Sequence, residues 1–526
     1  MPRRNHTHEK GITQSKMECA GSTDSPTYNL SSKLLHRFYE PLGLLYALGK
    51  ARGEHTHKTL PSFDKVDSLT AQQLRRQFLD ELAFLCDHKK GGDSCTAIVL
   101  GQTPQHWVFW VAANKCPERL IIPFLVELLN ILEGAYDKRD GQLLIEDISR
   151  ISVTFACERI KTYAKYLLSD LEKLRKFSIC THEPVSGFIT IWEKRVEDLV
   201  EADLHSLVEF AYKNRHSDFM RQLATLAHEQ RYKTSGDSLQ ATCASTRHHI
   251  GRLGLHARSA RALASYTQRM MPFLESYTVQ AVPVPVQGKG RPPPRKSTNV
   301  EAALKRMLPS DAPNLEGYRQ ALALMDKPLK ISERFLNGYS NPKNKTRVHA
   351  EVQLLHHFDQ YGEEFAEGDK YIACSKPACF CCHLYFRHHP GGFVEPRSHH
   401  KIYLNWQPPG MESARTGQGN QLRDILDLMI RDIRKDALGQ IIEKAAPRGY
   451  HPDSITGISP SIFVAPVRDT ISTTAHDGCE GDLLAEVGNE YTSQESDNAT
   501  ASSSSIPLPD MDDDTDEEAG GISLLG

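Results

Sequence analysis

Several things are scarce in this chain. Its 12 cysteines in 526 residues are too few for a disulfide framework. The first residues, MPRRNHTHEKGITQSKMECAGSTDSPT, contain no apolar run of the kind a secretory leader needs. Nowhere do about 18 apolar residues follow one another, the length of a membrane span. The strongest candidate, LIIPFLVELLNIL at 120–132, is broken by Pro123 and Glu127. Charge of one sign is also missing: 63 Lys and Arg stand against 66 Asp and Glu, a formal net charge of -3. These absences argue against a stapled secreted scaffold, a membrane protein and a coat for nucleic acid held by charge alone. The expected compartment is cytoplasmic or nuclear. In a reducing setting, clustered cysteines point to metal or chemistry. A repeat of fixed period is lacking too, and this length predicts two or three structural units.

What is present falls into blocks. Residues 1–30 are polar and read as a disordered arm, and 451–526 run through SSSS into MDDDTDEEAGG, a disordered acidic tail. That tail is either solubilising or a docking segment for a basic protein partner. Residues 31–116 open with helical patterns. Thr70 is placed as an N-cap with Gln73 at the capping-box position, followed by apolar Leu74, Phe78, Leu82 and Leu85 at helical spacing. CTAIVLG (95–101) and HWVFWVAAN (106–114) then predict a β-hairpin. Residues 117–340 read as a helical insertion carrying a Pro/Gly-rich loop at 281–299.

Between Gln240 and Val300 the only acid is Glu275, against nine Lys and Arg that include Arg252, Arg258, Arg261 and Arg269. This stretch is either a phosphate-contacting face or an amphipathic helix whose arginines cover apolar surface and pair with acids elsewhere.

Residues 341–450 carry the chemistry. RVHAEVQLLHHF begins an apolar-periodic helix at His349. KYIACSK (370–376) reads as a strand, CFCCHLYFRHH as a helix starting near Cys379, and KIYLNW (401–406) as a second strand. Cys379 and Cys382, three residues apart in a first helical turn, can both reach one ion. The unpaired N–H groups of that turn favour their thiolates. His349 supplies a third ligand, leaving a fourth position for water. Glu351, two residues on, points elsewhere than His349 and suits a general acid/base rather than a ligand. Cys374 or Cys381 could instead close the site as a fourth ligand and make the metal structural. The histidines at 356, 357, 383, 388, 389, 399 and 400 fit no second ligand geometry as well. Tyr403 and Trp406 could stack on a base or pack in the core.

The spacing H-x-E…C-x-x-C is close to the zinc-deaminase signature. RVHAEVQLL, YIACSKPACFCCHLYF and FVEPRSHHKIYLNW resemble the OTT-like branch of the cytidine-deaminase-like superfamily, a proposed nucleic-acid or nucleotide deaminase family with many fungal members. The resemblance covers roughly 345–410. It implies a three-layer α/β sheet with helices, one Zn2+, and hydrolytic removal of an amine from a base in nucleic acid or a nucleotide. One departure is that Ala378 separates Pro377 from Cys379, where the family's proline abuts the first cysteine.

The superfamily fold opens with helix, strand, strand before the His-bearing helix, and no hairpin is readable just before His349. The hairpin at 95–114 supplies that order, which predicts one sheet made of 95–101, 106–114, 370–376 and 401–406, split by the helical insertion. Asn114 then falls where similar nucleoside deaminases place a sugar-binding Asn. The alternative is a separate N-terminal α+β domain. Two functions compete with base deamination in a polymer: a zinc-stapled nucleic-acid or protein-binding scaffold without turnover, and a free-nucleotide metabolic enzyme. Glu351 argues against the scaffold, because a structural site has no use for a non-ligand carboxylate there.

Overall fold

The computed structural model describes residues 32–49, 67–135, 141–181, 186–228, 239–283, 291–309, 311–341, 345–409 and 416–445. The polar arm, the acidic tail and part of the Pro-rich loop (284–290) lie outside them. Two helices, α1 (Ser32–Ala47) and α2 (Ala71–Cys86), precede a hairpin of β1 (Thr96–Gln102) and β2 (Trp107–Ala113). Then come α3 (Ile121–Glu133), α4 (Gly141–Phe155), α5 (Cys157–Thr181), α6 (Ser186–Ala202), α7 (Leu204–Lys213), α8 (Asp218–His228) and the long α9 (Leu239–Leu274), which runs into β3 (Tyr277–Ala281). The remainder is α10 (Val300–Met307), α11 (Leu315–Leu329), α12 (Ile331–Ser340), α13 (Ala350–Tyr361), β4 (Glu364–Phe365), β5 (Ala373–Cys374), α14 (Phe380–His388) and α15 (Thr416–Ile442). Among the described residues no helix is long and apolar enough to cross a membrane.

Local chemistry explains the start of this order. Thr70 caps α2 by accepting the Gln73 N–H at 3.2 Å, while the Gln73 side chain accepts the Thr70 N–H at 3.0 Å. This reciprocal box satisfies two donors that a helix N-terminus otherwise leaves open. Leu74, Phe78, Leu82 and Leu85 then all face the core. The hairpin forms where expected, with Gln102 opposite Trp107 across a short turn.

The described strands form one sheet in the order β3-β2-β1-β4, with β5 also on β1. β1 is antiparallel to β2, β4 and β5, and β2 is parallel to β3. Side chains alternate between two cores. Ala97, Val99 and Ala112 join α1, α13, α14 and α15 on one face, whereas Ile98, Leu100, Phe109 and Val111 join α2, α3 and α9 on the other. Burial on both faces is why the hairpin strands read as almost unbroken apolar runs. The hairpin and Ala373–Cys374 therefore share a sheet although Ala97 and Cys374 are far apart in the chain. Ion pairs from α2 tie the same halves together: Arg76 to Asp369 at 2.6 Å and Arg397 to Asp80 at 3.1 Å.

The structure differs from the sequence reading in two places. First, 401–406 is not a strand of this sheet. Ile402, Leu404 and Trp406 do alternate inward, but the segment turns and makes a single parallel bridge between Trp406 and Arg347. Pro408 and Pro409 have no N–H to extend it. Likewise, 370–376 shortens to β5. Second, the 117–340 stretch is not wholly helical, because it returns to the sheet through β3 and pairs with β2, out of reach of any local pattern. It is also not one body: α3 and part of α9 serve the sheet's core, while α5–α8 and the start of α9 build a core of their own. At the α7–α9 crossing, Gly254 lets the helices touch, since a Cβ there would lie 3.0 Å from the Tyr212 backbone.

Four arginines of the 247–296 stretch, Arg252, Arg258, Arg261 and Arg269, are buried or engaged within the protein, as the amphipathic-helix reading expects. Arg252 is 1 % exposed, Arg258 pairs with Glu81 at 2.6 Å and Arg261 with Glu209 at 2.9 Å. Arg269 donates to the Leu69 carbonyl at 2.9 Å. The missing acids are supplied by other helices.

Candidate metal centre

Two helix N-termini converge at the end of the sheet. His349 is the N-cap of α13 and Cys379 that of α14. Each is fixed by its surroundings. The Ala350 N–H donates to Asn114 Oδ1 at 2.8 Å, and Gln353 Nε2 donates to the carbonyls of Ala113 and Val348, so the end of β2 holds the start of α13. Ala378 N donates to Arg397 O at 2.7 Å, and its own carbonyl receives the His399 N–H at 3.1 Å. The residue that departs from the family spacing is thus a tie-point that sets where α14 begins.

The result is a compact triangle. Cys379 Sγ and Cys382 Sγ lie 3.4 Å apart, and His349 Nδ1 is 3.5 Å from the first and 3.3 Å from the second. A tetrahedral zinc, with bonds of about 2.3 Å to sulfur and about 2.0 Å to nitrogen, sets edges of roughly 3.5–3.8 Å, so the donor set fits this ion. Among the described residues these three form the one group able to hold a metal. Neither Cys374 nor Cys381 joins it. Cys374 Sγ sits 3.7 Å from Cys95 Sγ and 3.9 Å from Glu351 Oε2. Cys381 is wholly buried on the other side of the turn, among the residues that pack on α1.

The triangle opens into a cleft lined by His349, Glu351, Cys379, Asn114 and Tyr403, with Cys95, Gly92, Arg347, Lys376, Pro377, His399 and Asn405 around them. Glu351 is 4 % exposed. Burial raises its pKa, and the neighbouring His349 charge only partly offsets this. Asn114 lines the cleft, but its amide is engaged at both ends, with Nδ2 donating to Gly92 O at 2.8 Å. Its visible task is to clamp β2, the Gly92 loop and α13. Trp406 takes no part in the cleft: it is fully buried against Phe38 at 5.5 Å. Base stacking by Trp406 is ruled out by that burial, whereas Tyr403 does face the opening.

Sequence reasoning overlooked Arg347, Lys376, His399 and Cys95 as cleft residues. Arg347 and Lys376 flank motifs that were read for other reasons, and a cation beside each was the available signal. Cys95 arrives only through the β1–β5 pairing.

The triangle's own charges polarise it strongly. Burial disfavours the imidazolium of His349, but the Cys379 thiolate outweighs this and lifts its pKa to about 9. Cys379 is held well below its ordinary range. Burial opposes that, but the Cys382 thiol and the charged His349 overcome it. Cys382 is pushed up by burial and by the anion beside it. A metal therefore has to displace protons from His349 and Cys382. Zinc affinity is expected to rise with pH, by as much as about a hundredfold per unit below about 9, where two protons must leave, and less steeply above it. Chelator competition at pH 6, 7 and 8 checks this, and a flat profile overturns it. Stability of the metal-free fold runs the other way. The raised His349 pKa stabilises the fold fully below about 6.5, and this contribution fades as pH climbs through about 9.

Residues 348–410 resemble a deaminase family in sequence. They match a family model described as OTT_1508-like deaminase, over a minority of the chain. No curated protein and no solved structure matches it.

Proposed function

We propose that this protein is a zinc-dependent hydrolytic deaminase acting on nucleobases in nucleic acid or nucleotides. The observation that carries this reading is the placement of Glu351, a buried carboxylate that faces the cleft beside a three-ligand site without belonging to the ligand set. When bound, zinc supplies the Lewis acidity that makes water a nucleophile at neutral pH. His349, Cys379 and Cys382 would hold it. Glu351 accepts a proton from the water that adds to the amino-bearing ring carbon, then returns it to the amine as the C–N bond breaks and ammonia leaves. Burial raises its pKa, which makes the carboxylate a stronger proton acceptor than an exposed one. Tyr403 forms one wall against which the base plane can rest.

The substrate's phosphate falls to Arg347 and Lys376. They are the cleft's permanent cations, set against Glu351 as its one carboxylate. Each is held in place, Arg347 by Asp93 at 2.7 Å and Lys376 by the Gly91 carbonyl at 2.6 Å. Changing both to Gln should lower kcat/KM for a nucleotide or oligonucleotide by about tenfold or more, the scale of a charge-assisted hydrogen bond. The corresponding nucleoside should be unaffected. An equal loss on all three would sink the phosphate assignment.

The function itself is tested by ammonia release from zinc-loaded protein. The panel is adenine-, cytosine- and guanine-containing single-stranded RNA and DNA, with the matching nucleotides and nucleosides. Release from none of them, at one zinc per chain, overturns the reading in favour of a zinc-stabilised binding scaffold.

A further inference from the structure

The two sulfurs of the triangle are not equivalently supported. Cys379, as N-cap of α14, accepts the backbone N–H of Cys382 at 3.5 Å, a donor that the helix provides by itself. Cys382 lies inside the first turn, where its own helix aims no such donor at Sγ. Its donor comes from elsewhere: the indole Nε1–H of Trp406 points at Cys382 Sγ from 3.2 Å. An indole nitrogen can only donate, and Trp406 is fully buried, so this hydrogen bond is the one that spares it an unpaired polar group.

The surroundings hold the ring on that line. Tyr39 Oη on α1 donates to the Trp406 carbonyl at 2.9 Å. Phe38 and Tyr385 pack at 5.5 and 6.2 Å between centroids. The single backbone bridge of 401–406 joins Trp406 to Arg347, two residues before His349. The turn that replaces the expected strand therefore delivers an N–H to a ligand sulfur from behind, on the side away from the cleft.

We infer that Trp406 is a positioning residue for the metal centre, whose indole N–H hydrogen-bonds the Cys382 thiolate, fixes its direction and withdraws electron density from it. This rests on the metal site proposed above. A donor to a ligating sulfur reduces the charge that sulfur gives to the ion and leaves the ion a stronger Lewis acid, as outer-shell partners do for other ligands. Trp406 touches neither substrate nor ion, and acts only through Cys382.

The test replaces zinc by Co2+ in the full chain and compares the native protein with Trp406→Phe, which keeps an aromatic ring and removes the N–H. Both should bind one Co2+ per chain with the same d–d bands, since the three ligands are unchanged. The sulfur-to-cobalt charge-transfer band should move to longer wavelength in the variant, because a sulfur without its hydrogen bond gives up charge more easily. A merely space-filling role leaves that band where it was. An unmoved band at full occupancy overturns the inference and leaves the metal site standing. A native protein that takes up no Co2+ or Zn2+ overturns both.

Should the variant fail to fold, the native protein answers by NMR. It is loaded with cadmium-113 and its tryptophans are nitrogen-15 labelled. Of the four tryptophans, the Trp406 indole proton should show a splitting from cadmium. Its absence at full cadmium occupancy also overturns the inference.

Discussion

Glu351→Gln should leave zinc content and fold intact and reduce turnover by about 10²–10⁴-fold, the range that a positioned general acid/base contributes. Glutamine matches the carboxylate in shape, and Glu351 is outside the ligand group, so all three ligands remain. Its role in the proposed chemistry is proton traffic, which an amide cannot perform. The measurement is kcat on whichever base proves to be the substrate, alongside zinc stoichiometry and thermal melting. Because burial raises the Glu351 pKa and the carboxylate must be ionised to accept the water's proton, the native protein should lose activity as pH falls through that raised value. The Gln variant should show no such limb. A Gln variant of undiminished activity removes the proton shuttle from the mechanism.

The second large effect concerns metal retention. Cys379→Ser should lower zinc affinity by more than about 10²-fold, beyond the 10–100-fold cost of losing an outer-shell partner. Cys379 is the anionic member of the triangle and sits within 3.5 Å of both other donors. The substitution removes the charge that attracts the ion, while the serine hydroxyl can still accept the N–H that caps α14. The loss should be visible as stability. Zinc at a thousandfold excess over its Kd stabilises a native fold by about 4 kcal/mol, so the melting temperature of the native chain should rise on adding zinc while that of Cys379→Ser stays put. Cys381→Ser serves as the control, since that side chain is outside the triangle. Retention of a full zinc complement by Cys379→Ser would move the ligand set to a neighbouring thiol.

What the sequence made legible was local. The capping box at Thr70 and Gln73, the hairpin, and the His349, Glu351, Cys379 and Cys382 spacing each depend on residues a few positions apart, where helical and strand periods fix direction. The rest depends on distant partners. β3 exists because β2 has an edge to offer it. Arg258 and Arg261 are silent because Glu81 and Glu209 come to meet them. Trp406 could have been placed better, since it shares the inward parity of Ile402 and Leu404, which marks a core residue. Nothing local, however, announced that its N–H would end on a sulfur.

The pairing of Ala97 with Cys374 has a consequence for how the protein is made. A ribosome adding about 5–20 residues per second needs on the order of tens of seconds between synthesising β1 and synthesising β5. Throughout that interval β1 presents an open, almost wholly apolar edge with unpaired N–H and C=O groups, a template for mispairing with other nascent chains. The hairpin must therefore wait, shielded by α2 on one face and by the arriving helices of the insertion, before the metal ligands exist at all. Zinc can be acquired only late in synthesis, by a chain whose scaffold is already largely built.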